Sequence, residues 1–196
     1  LAQFNYAVEL KNASLSSRPE SWYITENGFE NPTFSSRIGF RPNEAWNFGF
    51  SGSEGPYFRR EAESSLPAGK DISDYREFVL GQDISFAWHH LQLWAEFYEG
   101  RFEVPNVGDA DTFAYYIEAK YKFTPQLFGA VRWNQQLFNK INNGVGGEER
   151  WTPDLARIDV AATYRLTTHA QLKLQYSFQH ETTAPGQDNH LLAKQF

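Results

Sequence analysis

The sequence contains no cysteine, which excludes disulfides and thiolate metal centres. It has no apolar run long enough for a transmembrane helix. No basic run occurs and the net charge is −6, which argues against a nucleic-acid partner. Hydrophobic residues are 41% and charged residues 21%, a balance that excludes disorder. No signal peptide is visible; Leu1 opens directly on an alternating segment, so a leader and further chain are expected upstream. The mean hydropathy of −0.59 is that of many soluble proteins. It carries no weight against a barrel, where only every second strand residue faces lipid and the loops are polar.

What is present is alternation. Ile158, Val160, Ala162, Tyr164 and Leu166 alternate with Arg157, Asp159, Ala161, Thr163 and Arg165. After Thr167, Thr168 and His169, Leu172, Leu174, Tyr176 and Phe178 alternate with Gln171, Lys173, Gln175, Ser177 and Gln179. Apolar residues at strict twos mark strands, and a turn this short makes the two strands antiparallel neighbours. The same period predicts strands at Gln3–Lys11, Thr33–Arg41, 46–51, 75–88, 91–98, 113–123 and 127–134, with a shorter one at 190–196. With the hairpin, that is about ten strands in one domain over residues 1–196. Connections at 42–44, 89–90, 124–126 and 167–169 are short. Those at 12–32, 52–74, 104–110, 139–155 and 181–189 are longer and carry Gly, Pro and Asn. Strict alternation of short and long places all tight turns on one rim of an up-and-down meander.

A soluble sandwich or a lipocalin-like barrel also alternates, with its apolar face inside. Three features point away from both. The strands are near the length a tilted membrane strand needs. Aromatics, 17% of the chain, gather beside the turns (Phe40, Trp46, Trp88, Tyr121, Phe123) and again at the other ends (Phe97, Phe113, Tyr115, Trp133, Tyr176, Phe178), as two girdles would. The opposite face carries charge of both signs in mid-strand. The fold class expected is therefore all-β, an antiparallel up-and-down transmembrane β-barrel. The short row 190–196 fits neither face well, with Lys194 between Leu192 and Phe196. The chain is therefore expected to be cut at both ends and to belong to a larger barrel.

Three phrases, FSSRIGFRPNEAWNFGFSGSEGPY, HLQLWAEFYEGRFEVPNVGDADTFAYYIEAKYKFTPQLFGAVRWNQQ and RIDVAATYRLTTHAQLKLQYSFQHE, resemble the C-terminal portion of bacterial outer-membrane porins of Gram-negative bacteria. In similar proteins the segment matching 190–196 runs on to a later terminal Phe. The resemblance implies diffusion of small hydrophilic solutes, or a barrel that sheathes a partner such as a multihaem electron-transfer cytochrome. It also implies an outer-membrane location, short turns periplasmic and long loops extracellular, with the lipid bilayer as first partner. A homo-oligomer and a periplasmic partner stay open, and no cofactor is expected.

The chemistry expected lies on the polar face, where rings of charge set ion preference. Arg37, Arg41, Lys120, Lys122, Arg132, Arg157, Arg165 and Lys173 are assigned to the pore lining, with Glu77, Asp83, Glu96, Glu118 and Asp159. Glu9 lies on the same face. Basic groups outnumber acidic ones there, so a mild anion preference is expected. The five histidines carry no expected catalytic role: His89, His90 and His169 fall in short turns. His180 and His190 flank the last loop near Glu181 and Asp188, which leaves a rim enzyme as the weaker alternative. Asp109 and Asp111 would suit a hard cation but lack the rest of an EF-hand, so no metal site is assigned.

Overall fold

Apolar residues at every second position favour a sheet with one apolar face, and the computed structural model has one. It describes residues 2–12, 32–58, 60–142, 146–182 and 188–191. The strands are β1 (Gln3–Lys11), β2 (Thr33–Arg41), β3 (Trp46–Pro56), β4 (Arg76–Trp88), β5 (Leu91–Val104), β6 (Gly108–Lys122), β7 (Leu127–Phe138), β8 (Lys140–Asn142), β9 (Glu148–Arg150), β10 (Asp154–Arg165), β11 (Gln171–Thr182) and β12 (Asp188–Leu191). Ten of them form one antiparallel sheet in chain order, while β8 and β9 make a separate hairpin between β7 and β10. The fold is all-β and up-and-down, as the alternation predicts.

Single side chains write the tight turns. Asn43 Oδ1 accepts from the amides of Ala45 and Trp46 at 2.9 and 3.1 Å. Thr124 Oγ1 accepts from Gln126 and Leu127 at 3.3 and 3.0 Å, and Thr167 Oγ1 from His169 and Ala170 at 3.2 and 3.0 Å. Each oxygen stands in for a backbone acceptor and lets the chain reverse within a few residues. The remaining tight turn uses a left-handed residue, His89, at φ 51°.

Four strands run further than the sequence pattern predicts. β3 reaches Pro56, β5 reaches Val104, β7 reaches Phe138, and β6 begins at Gly108. The expected loop 104–110 is thus a three-residue turn, and the strict alternation of short and long connections fails there. The reason lies in Asn106 (φ 63°) and Gly108 (φ 103°), whose left-handed backbone closes the turn with Val107 N donating to Val104 O at 3.3 Å. The last strand covers Asp188–Leu191, so the predicted piece 190–196 is shifted. Its end, like most of the predicted loop 12–32, lies outside the described residues.

The two faces differ in kind. Among the described residues, Ala110 alone is a buried hydrophobic. Large apolar side chains cover the other face in the open: Tyr6 is 85% exposed and Leu174 65%. A water-soluble sheet buries such a row in a core. Along β6 and just past it, Phe113, Tyr115, Ile117, Ala119, Tyr121 and Phe123 fall on this face. Ten rises of about 3.3 Å, tilted by about 40°, span about 25 Å along a membrane normal. That is the height of a barrel's apolar band. Beyond Phe113 the same face turns charged, with Asp109 and Asp111 on β6 opposite Glu103 and Arg101 on β5. The upper aromatics Phe97 and Trp133 therefore lie within strands that continue past the apolar band, not at strand ends.

Candidate functional site on the polar face of the sheet

All the residues assigned to the pore lining share one face. The register links Arg37 with Ser51, Ser51 with Gly81, Asp83 with Glu96, and Glu96 with Tyr116. It continues through Glu118 with Arg132 and Arg132 with Asp159. Arg41, Lys120, Lys122, Arg157, Arg165 and Lys173 sit on the same rows.

Midway along the strands, the acids are consumed by partners. Arg37 on β2 donates to both oxygens of Asp83 on β4, at 2.7 and 2.5 Å. The pair spans the intervening strand because Gly49 lies beneath it; a Cβ there would overlap the Asp83 carboxylate and the Arg37 guanidinium. Glu96 accepts from the hydroxyls of Tyr98 and Tyr116, each at 2.7 Å. Arg132 Nε donates to Glu118 at 2.6 Å while its guanidinium lies 4.5 Å from the centroid of the Tyr116 ring. Asp159 is 7% exposed and accepts from Asn134 at 2.9 Å, Arg157 at 3.2 Å and the Ser177 hydroxyl. The belt is a row of charge-assisted bonded groups from β2 to β11.

Towards the tight turns the face changes sign. Lys120, Lys122 and Arg165 lie 5.3, 6.0 and 5.8 Å from the centroid of the Phe128 ring. Arg41 folds onto its own turn, its Nε and Nη2 donating to the carbonyls of Asn43 and Glu44 at 3.4 Å. Among the described residues none of these four, nor Lys173, makes a salt bridge.

Towards the long connections the face is aromatic, which the sequence reading missed. Tyr57 packs edge-on against Phe102, with ring centroids 5.3 Å apart, and Trp151 lies between Phe102 and Phe138 at 5.9 and 5.2 Å. The available signal was Phe102 and Phe138 falling on the polar register. Tyr57 donates its hydroxyl to Glu103 O at 2.8 Å. Burial, and then the charges of Glu77 and Glu103, push its phenol up to about 12. Glu77, expected on the water-lined surface, is 0% exposed. It pairs in register with Gly55 and Phe102, and the β3–β4 connection packs over that neighbourhood.

The other candidates separate. Asp109 and Asp111 both face Arg101, at 3.6 and 2.8 Å, so a guanidinium holds the place a cation would take. They lie on the apolar-face register, outside the polar belt. His180 and His190 are register partners, while Glu181, next along β11, points to the opposite face. His89, His90 and His169 stay in the tight turns, where His169 Nδ1 lies 2.9 Å from the Thr168 hydroxyl. No group of metal-binding side chains occurs among the described residues.

No family model and no curated protein matches the chain. Solved structures do. Salmonella typhi OmpF, solved in complex with daunomycin, superposes with a TM-score of 0.56 at 12% identity, over 95% of this chain and 51% of that one. OmpT, an outer membrane protein of Vibrio cholerae, superposes with a TM-score of 0.53 at 14% identity, over 89% and 54%. The chain thus spans about half the length of each protein it matches. Its fold is that of the outer-membrane β-barrels.

Proposed function

We propose that this chain forms part of the wall of an outer-membrane pore through which small hydrophilic solutes and ions diffuse passively, with a mild preference for anions. One observation carries the reading: a continuous polar face, charged at mid-height, backs a continuous apolar face of membrane height. Hydrocarbon on one side of a strand leaves the other side for water. The outer edges of β1 and β12 make no strand pair among the described residues. A backbone in lipid must pair its edges, so in this reading these edges pair outside the described residues. The tight turns face the periplasm and the longer connections the exterior. No enzymatic role is part of this reading; His180 and Glu181 point to opposite faces of β11.

The anion preference follows from pairing. Asp83, Glu96, Glu118 and Asp159 are each held by donors on other strands, whereas Lys120, Lys122, Arg165 and Lys173 have no carboxylate partner among the described residues. Field lines from these cations reach the water path unopposed. The test is reconstitution of the full-length protein in planar bilayers. Stepwise conductance with a reversal potential favouring chloride in a potassium chloride gradient is expected. A folded barrel that inserts without conducting, and that copurifies stoichiometrically with a chain filling its lumen, would establish the sheath instead.

A further inference from the structure

The polar face carries a hollow that the salt-bridge belt does not explain. On adjacent strands β7 and β10, Ala130 and Ala161 are register partners. Lys120 lies opposite Ala130 on β6, and Gln175 lies opposite Ala161 on β11. Two methyl side chains between longer neighbours leave a recess of about 300 Å³, lined also by Arg132, Arg157, Thr163 and Lys173. Glu118 and Asp159 line it too, but their charges are already met. Arg132 holds Glu118, and Asp159 is saturated by Arg157, Asn134 and Ser177. Four cations against two carboxylates leave two positive charges in excess, those of Lys120 and Lys173. The Thr163 hydroxyl and the Gln175 amide add donors at the wall. Lys122 and Arg165, around Phe128 on the side of the tight turns, extend the same sign of potential towards the rim.

We propose that this recess is a binding subsite for a small dianionic oxyanion, phosphate or the phosphate group of a compact monoester, on its way through the pore. It rests on the pore reading for its route but not for its chemistry. A dianion matches the two excess charges, and its oxygens match the ammonium, hydroxyl and amide donors. Chloride, a single charge without directed acceptors, is held less and passes. Ala130 and Ala161 are specificity determinants, because any longer side chain fills the hollow.

Two measurements on the full-length protein separate this proposal from the pore reading. Equilibrium dialysis of detergent-held protein against radiolabelled inorganic phosphate reads the subsite alone. Phosphate added to a conducting bilayer reads it through block of the chloride current. Joint Lys120→Gln and Lys173→Gln substitution should weaken both by at least about tenfold, as the loss of two charge-assisted contacts requires. Joint Lys→Arg substitution should keep them, and Lys70→Gln, on the β3–β4 connection away from the polar face, should leave phosphate binding unchanged. Heat-modified gel migration checks that each variant is folded. Undetectable phosphate binding at millimolar concentration, or binding unchanged in the double Gln variant, overturns the proposal. Lysine-dependent binding without conductance would keep the subsite and remove the pore.

Discussion

Replacing Val131 with arginine tests which face of the sheet meets hydrocarbon. Val131 is 44% exposed, midway along β7, between Ala119 of β6 and Val160 of β10. In a band about 25 Å tall it lies about 10 Å from one edge and about 15 Å from the other, farther than an arginine reaches by snorkelling. The charge should cost about 2–4 kcal/mol at that depth, and the lost burial of valine in lipid about 1.5 kcal/mol more. The sum, about 3.5–5.5 kcal/mol, exceeds two orders of magnitude in the folding equilibrium. Ser85→Arg supplies the contrast. Ser85 is on the polar register of β4, opposite Asn47 and Trp94 and two residues from Asp83. There the new guanidinium meets water and a carboxylate, and the cost should stay under about 1 kcal/mol. Urea titration of the full-length protein folded into phosphatidylcholine vesicles, followed by tryptophan emission, measures both. Equal costs for the two arginines, or a larger cost at Ser85, would refute the assignment of faces.

Glu118→Gln frees Arg132 from its carboxylate and should move the reversal potential further towards chloride, at a stability cost of about 1 kcal/mol for a half-buried pair. Gly49→Val places a side chain where Arg37 and Asp83 meet; loss of that bridge and about 1–3 kcal/mol of stability are expected, read by the same urea titration. The Tyr57 phenol has a folded pKa raised above its ordinary 10, to about 12, so folding retains its proton. Its contribution is whole below about pH 10 and is lost as pH rises from 10 towards 12, which ultraviolet difference spectra of wild type against Tyr57→Phe would follow. For orientation, the absence of cysteine gives a clean background: Ala68→Cys on the β3–β4 connection should react with an impermeant maleimide on intact cells. Gln126→Cys in a tight turn should react only after the outer membrane is permeabilised.

The strands are legible where one face carries an unbroken apolar row and are lost where it does not. From Phe113 to Phe123 every second residue is apolar, and the face read from sequence is the face these residues share in the sheet. Above that band the pattern inverts. Glu99, Arg101 and Glu103 occupy the outward row of β5, while Gly100 and Phe102 occupy the inward one. Polarity then no longer marks the inside, and a reader following apolar residues ends the strand at residue 98, although the backbone ladder continues to Val104. The same failure shortens β3, whose last residues, Gly52 to Pro56, have no apolar row to follow. The turn at 105–107 was hidden for the same reason: its strands were taken for part of the loop.

The charges were legible one by one but their pairing was not, and pairing decides what they do. Counting inward residues predicts only a diffuse excess of basic groups. Arg37 finds Asp83 two strands away, which requires both registers and a glycine between them. Asp159 draws three donors from three strands, β7, β10 and β11. Glu77 belongs to the polar row yet is buried, because a connection rich in charge, glycine and proline packs its Tyr57 against Phe102. Removing the paired groups from the count turns a diffuse excess into a located one. The mid-height belt is nearly neutral and stiffens the wall, while the unpaired ammonium groups gather towards the tight turns, around Phe128 and the alanine-floored recess. In the proposed pore, an ion moving along the polar face would meet neutralised charge at mid-height and concentrated positive charge beyond it. Selectivity should accordingly depend on Lys120 and Lys173 far more than on Arg37 or Arg132, although all four lie on the same face.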